Sequence, residues 1–193
     1  MRVTGGSLLN RRIECPPGII RPAMDRMRES MFSILNSRGL ITDAVFLDLF
    51  AGSGIMSIEA SSRGAKEVTL VEKDYGKKRI IQKNLQLADE IGTRHTLFLK
   101  DVFKFLENYQ GQPYTIIYAD PPFPLNGKER ILDLIDLNTN LLTPNGLFVV
   151  HIPSEEQKLW KEQSDSGLLK LIDTRVYGRS VLLFFKYFVI LCF

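Results

Sequence analysis

Four residues, Asp120-Pro121-Pro122-Phe123, close the apolar run Thr115-Ile116-Ile117-Tyr118-Ala119. A strand that ends in a carboxylate and two prolines cannot flow into a helix, because each proline lacks an amide hydrogen and fixes its own φ, and Pro122 biases Pro121 away from the helical region. The stiff corner holds the Asp120 carboxylate and the Pro121 carbonyl as two fixed acceptors, and Phe123 adds a flat apolar face. Two acceptors and a platform suit an exocyclic amino group on a base, and the chemistry they could support is its alkylation. Taken alone, the same residues also suit a rigid loop with a capping aspartate, so the rest of the chain must decide.

A second cluster lies upstream. An apolar run leads into Asp48-Leu49-Phe50-Ala51-Gly52-Ser53-Gly54 and then into the helix-like stretch from Ile55 to Arg63. Glycines at such a junction let backbone approach a ligand at a helix N-terminus. The third glycine of a dinucleotide fingerprint is Ser57 here, so that fingerprint is incomplete. Glu72 follows about 20 residues later, where an acid can accept from ribose hydroxyls. Asp101 follows the next strand-like run, placed to meet an adenine amino group. Each acid alone is as well explained by a helix cap or a solvated loop. Three acids at successive strand ends, with no lysine in the glycine loop, suit a cationic sulfonium nucleoside better than a triphosphate.

Charge separates the ends of the chain. The net charge of +3 is small, but residues 1–40 hold seven arginines, no lysine and three acids, while the remainder is nearly neutral. Arginine's planar fork matches phosphate oxygens, so this distribution points to a nucleic-acid-gripping arm on a neutral body. A solvated basic face is the plainer alternative. The two cysteines, Cys15 and Cys192, and the two histidines, His95 and His151, lack ligand spacing, and no metal is expected. The N-terminus lacks the apolar segment of a secretory signal, so the cytoplasm is the expected compartment. The apolar end from Val181 to Phe193, about 13 residues, is too short to span a bilayer as a helix and reads as a buried strand; no membrane association is expected, and Cys192 is given no function.

The elements that must position these groups alternate. Strand-like runs at Val45 to Leu49, Glu67 to Val71, Thr96 to Leu99, Thr115 to Ala119 and Leu147 to Ile152 are separated by helix-like segments, which predicts a parallel sheet covered on both faces. Leu168 to Tyr177 and Val181 to Phe188, joined by Gly178-Arg179-Ser180, read as an antiparallel hairpin. Before the sheet, Arg11 to Cys15 can pair back on the first residues until Pro16-Pro17-Gly18 breaks the pairing, and a helix is predicted from Asp25 to about Ser37. The expected organisation is a basic arm and helix over 1–40 and a Rossmann-like domain over 41–193.

At this point the chain resembles the S-adenosylmethionine-dependent methyltransferases, and more closely the RsmD-type family that methylates a guanine amino group of small-subunit (16S) ribosomal RNA. The likeness covers nearly the whole chain: Gly5-Gly6, Arg21-Pro22, Asp25-Arg26-Met27-Arg28-Glu29, Phe32, Leu47 to Gly54, Glu59-Ala60, Ser62-Arg63-Gly64-Ala65, Glu72, Asn84, Asp101 and the Asp120 corner. Ala23, Ser57 and His151 depart from it: a hydroxyl residue, a glycine and often an acid stand there in relatives. The resemblance implies a class I methyltransferase fold of seven mostly parallel strands with an antiparallel C-terminal hairpin. It implies an S-adenosylmethionine site from Asp48, Phe50, Ala51, Gly52, Ser53, Gly54, Glu72, Asp101 and Val102. The catalytic corner would be Asp120, Pro121, Pro122 and Phe123, with Arg11, Arg12, Arg21, Arg26 and Arg28 on RNA. The partner would be ribosomal RNA or the assembling small subunit, approached by a monomer. Rival readings are the same chemistry on an adenine of DNA or RNA, a non-catalytic RNA-binding module, and a nicotinamide oxidoreductase, which Ser57 and the Asp120 corner disfavour.

Overall fold

Two-residue alternation of apolar side chains builds the sheet, and both of its faces are covered. The computed structural model describes residues 1–15, 22–123 and 125–188. Five parallel strands, β1 (Val45–Leu49), β2 (Glu67–Val71), β3 (Arg94–Phe98), β4 (Tyr114–Ala119) and β5 (Leu142–Pro153), are joined by two antiparallel ones, β6 (Leu169–Tyr177) and β7 (Ser180–Tyr187). The spatial order is β3-β2-β1-β4-β5-β7-β6. Phe46, Ile116, Tyr118, Leu147 and Val149 face a core shared with α1 (Pro22–Ser37), α2 (Ile55–Ser62) and α3 (Lys78–Glu90). Their neighbours Leu47, Ile117, Ala119, Phe148 and Val150 face the opposite core, against α4 (Val102–Glu107), α5 (Arg130–Leu137) and α6 (Gln157–Ser166). This is the doubly wound α/β sheet with an antiparallel C-terminal hairpin that the alternating pattern predicts. Chain order reverses between β1 and β4, and in such sheets the crevice at that reversal, outside the carboxyl ends of the strands, is where ligands sit.

Some boundaries differ from the sequence expectation. The fifth strand begins at Leu142 rather than Leu147 because Leu142 pairs Tyr114, and Thr143-Pro144-Asn145-Gly146, which has turn chemistry, forms an irregularity between that pair and the next, Ile116 with Leu147. Gly146 makes this possible: a Cβ there would stand 2.8 Å from the Thr115 carbonyl oxygen. The third strand starts at Arg94 rather than Thr96, and the first helix at Pro22 rather than Asp25, which places proline in the first turn, where its missing amide hydrogen costs nothing.

Residues 1–15 form a hairpin laid on the body. Arg2 and Arg12 form an antiparallel bridge, and Val3, Leu8 and Ile13 are buried in the core that holds α1. The hairpin turns over the end of α2. Gly6 has φ of 78°, and a Cβ on it would stand 1.9 Å from the Ser62 carbonyl oxygen, so only glycine fits. Ser62 carbonyl accepts from the Ser7 amide at 2.8 Å, and its hydroxyl donates to Gly5 carbonyl at 2.6 Å. The Pro16-Pro17-Gly18 break, the last residues from Val189 and Cys192 lie outside the described residues. Among the described residues no helix is long and apolar enough to cross a membrane, and no three His, Cys, Asp or Glu side chains cluster to hold a metal.

Candidate functional site

The glycine loop after β1 is built from alternating left-handed residues. Phe50, Gly52 and Gly54 have φ of 64°, 61° and 79°. A left-handed phenylalanine is strained, and such strain clusters at ligand-binding loops. The loop is pinned by Ala51 donating to Val71 carbonyl at 3.0 Å, and Gly54 caps α2 where a Cβ would press Leu70 at 3.2 Å. Ser53 and Val102 are buried beside it, with Ala51. Asn84 of α3, also buried, donates to the carbonyls of Ser53 and Glu14, at 2.9 and 2.8 Å, and ties the loop to the N-terminal hairpin.

Three acids surround this loop, and two of them, Asp48 and Glu72, have partners that the sequence alone did not show. Asp48 is fully buried on β1, and its Oδ2 accepts from the Ser57 hydroxyl at 2.9 Å and the Ser57 amide at 3.2 Å. The residue that breaks the glycine fingerprint thus serves Asp48. Burial pushes the Asp48 carboxyl up to about 8, against the Ser57 bonds, and the nearby Asp120 and Glu72 raise it further. Glu72, just past β2, accepts from the Gly52 amide at 3.0 Å and Lys77 Nζ at 3.1 Å through Oε2, and from the Asp74 amide at 2.9 Å through Oε1. Asp101 caps α4, its Oδ1 accepting from the amides of Phe103 at 3.0 Å and Lys104 at 3.3 Å. The plain reading of Asp101 as a helix cap therefore holds, and its Oδ2 is the oxygen left to meet a ligand. The donor set fits a cationic sulfonium nucleoside: a loop whose left-handed glycines leave its backbone open to a ligand, and a carboxyl raised chiefly by burial and further by Asp120 and Glu72, a cluster of acids that a cation would relieve.

Asp120 stands at the end of β4, opposite this loop across the β1–β4 reversal. Its amide donates to Leu49 carbonyl at 3.4 Å. Register explains its neighbour. Ala119 pairs Val150 in the parallel β4–β5 ladder, so Asp120 and His151 come next on the same sheet face. His151 Nδ1 lies 2.9 Å from Asp120 Oδ1. Phe123 is 48% exposed and stands edge-on to the His151 ring, with centroids 6.2 Å apart. Buried Lys128 donates to Phe123 carbonyl at 2.9 Å, pairs with Glu156 Oε1 at 2.6 Å and lies 5.9 Å from the Phe123 ring centre. Met24, Asp120, Pro121, Pro122, Phe123, His151 and Ser180 line a pocket of about 440 Å³.

The arginines divide. Arg12 and Arg26 are exposed, and Arg11 is half exposed, paired with Glu90 at 2.8 Å. Arg21 lies outside the described residues. Arg28 is corrected. It is 3% exposed, and its guanidinium donates to buried Glu59 at 2.7 Å, Arg2 carbonyl at 2.8 Å and Asp25 at 3.0 Å. Glu59 also accepts from the Thr4 amide at 2.7 Å and from Arg63. Arg28 therefore fastens the hairpin to α1 and α2, and a side chain so enclosed is not available to RNA phosphates. Sequence reasoning also missed Lys128, and it gave His151 no role. The β4–β5 register, had it been extended by one residue, would have found His151; nothing local marks Lys128.

Comparison with known proteins gives a consistent picture. The model of a family described as conserved hypothetical protein 95 matches residues 1–186. Ribosomal RNA small subunit methyltransferase D of Escherichia coli is 36% identical over 140 residues, 72% of this chain and 68% of that one. A putative rRNA methyltransferase of Bacillus subtilis is 30% identical over 158 residues, 77% of this chain and 80% of its own. Among solved structures, a putative methyltransferase from Escherichia coli superimposes with a TM-score of 0.79 at 29% identity, covering 97% of both chains. A putative methylase from Haemophilus influenzae does so with a TM-score of 0.73 at 26% identity, over 97% of this chain and 98% of its own.

Proposed function

The chain belongs to the family of the ribosomal RNA small subunit methyltransferase D, and from that premise we propose that it transfers a methyl group from S-adenosylmethionine to the exocyclic amino group of a guanine in small-subunit (16S) ribosomal RNA. One observation carries the reading beyond the family: the Asp120 carboxylate and the half-exposed Phe123 share a pocket at the carboxyl end of β4, where the Asp120 amide meets the carbonyl of Leu49, the residue that leads into the glycine loop. Held at the glycine loop, S-adenosylmethionine would supply an electrophilic methyl group on a sulfonium, the C–S bond breaking to leave a neutral thioether. Gly52, Ser53 and Gly54 would approach it through backbone, Glu72 would accept from its ribose hydroxyls and Asp101 from its adenine amino group.

The rest is the work of this chain's own residues. A guanine drawn from its stack lies against Phe123, and Asp120 and the Pro121 carbonyl accept its two amino hydrogens. An aromatic amine is a poor nucleophile because its lone pair is delocalised into the ring. Holding both hydrogens favours the tetrahedral nitrogen whose lone pair points at the methyl carbon. The N–C bond forms, the nitrogen becomes cationic, and its proton leaves to Asp120 or to water. The exposed arginines of residues 1–40 grip RNA phosphates, whether on free RNA or on the assembling subunit.

The test is methyl transfer from labelled cofactor to ribosomal RNA of cells lacking the protein, with the modified nucleotide mapped by mass spectrometry. Asp120→Ala is expected to lower kcat by about 10²–10³-fold with cofactor affinity unchanged. Wild-type turnover by that variant would falsify the catalytic assignment, and label on an adenine would overturn the guanine.

A further inference from the structure

Resting on that reading, we propose that His151 is a positioning residue that selects which oxygen of Asp120 receives the substrate's amino hydrogen. Its imidazole Nδ1 is 2.9 Å from Asp120 Oδ1, and Asp120 is the acceptor of the pair, so the bond's hydrogen sits on Nδ1. Oδ1 is thereby occupied, and Oδ2 is the oxygen left for the pocket. Asp120 needs such a partner. Its side chain is 31% exposed at a strand end, where solvent would otherwise let it turn away from the base, whereas the His151 side chain is 4% exposed.

His151 itself is held from several sides. It sits on β5 opposite Leu182 of β7, and the edge of the Phe123 ring meets it. Its other nitrogen, Nε2, is buried with no hydrogen-bond partner among the described residues. An unpaired buried nitrogen is unfavourable, and an apolar side chain would fill the same space without it. Among the described residues Asp120 is thus the one polar contact that accounts for an imidazole on an otherwise apolar strand, Leu147 to Ile152. His151 lines the same pocket as Asp120 and Phe123, so one ring sets both the acceptor and one wall of the base site.

Two substitutions separate this role from simple filling of space. His151→Asn puts an amide N–H near the position of Nδ1, and His151→Gln puts it near Nε2. Asn is expected to keep kcat within about threefold of wild type, and Gln to lower it by roughly 10–100-fold, the effect of losing a bond to a charged acceptor. The cofactor affinity should change little in either, and any change in KM for RNA should be shared by both, since both replace the ring that forms a wall of the base site. Equal activity of the two variants, whether retained or lost, would overturn the proposal while leaving methylation by the wild type intact. Absence of methyl transfer by the wild-type protein would instead overturn the functional reading beneath it. Without any variant, nitrogen NMR of the imidazole should show the proton of neutral His151 on Nδ1, and a proton on Nε2 would equally overturn the inference.

Discussion

Asp48 shows how burial of one carboxylate costs the folded protein stability. Its carboxyl is buried, with Ser57 as its one hydrogen-bond partner among the described residues, and is raised to about 8. In the unfolded chain an aspartate titrates near 4. Between those values the folded protein holds a proton that the unfolded one releases, so stability falls as pH rises from about 4 to about 8. Asp48→Asn removes that slope. At pH 8 the variant should melt about 10 °C or more above wild type, and the gap should close towards pH 4. Thermal unfolding at several pH values checks this, and a gap independent of pH would exclude Asp48 as its source. The same contrast explains why the sequence marks Asp48 as a site residue but not its partner: Ser57 lies one helical turn beyond the glycine loop, and only folding brings its hydroxyl under the carboxylate.

At the scale of elements, the N-terminal hairpin and α2 form one clamp. Gly6 lies against the Ser62 carbonyl, Thr4 and Arg28 meet on Glu59, and Asn84 continues the connection to the glycine loop. Gly6→Ala would force a side chain into a backbone oxygen at positive φ, and we expect it to lower the melting temperature by about 5 °C or more and to expose the hairpin to protease. An unchanged melting temperature together with protease resistance would show that the hairpin is not seated on α2 in solution. Strand positions were legible because apolar alternation is local. The extra length of β5 was not, because Thr143 to Gly146 has turn propensity in sequence, and the pairing of Leu142 with Tyr114 that extends the strand is made only between elements.

Across the whole molecule, charge counted in sequence and charge available at the surface are different quantities. Residues 1–40 carry seven arginines, yet Arg28 is inside and Arg11 is paired. Arg12→Ala and Arg26→Ala should each weaken RNA binding and reduce the slope of log affinity against log salt by about one, without changing stability. Arg28→Ala should do the opposite. It leaves Glu59 buried with a lost partner and should destabilise the fold by about 3 kcal/mol or more. Filter binding at several salt concentrations, run beside thermal unfolding, distinguishes the two groups; an Arg28→Ala protein of normal stability would contradict the buried ion pair.

By itself the sequence determined the alternating α/β plan, the glycine loop, the Asp120 corner and the basic character of the first forty residues. These follow from periodicity, backbone restriction at glycine and proline, and composition, all of which act locally. The tertiary structure alone decided which groups meet: Ser57 under Asp48, Gly52 and Lys77 on Glu72, His151 beside Asp120, and Arg28 on Glu59. Hydrogen bonds and burial between residues on different elements, 5 to 31 positions apart here, depend on strand register and helix packing, and those are fixed only when the sheet closes its two cores.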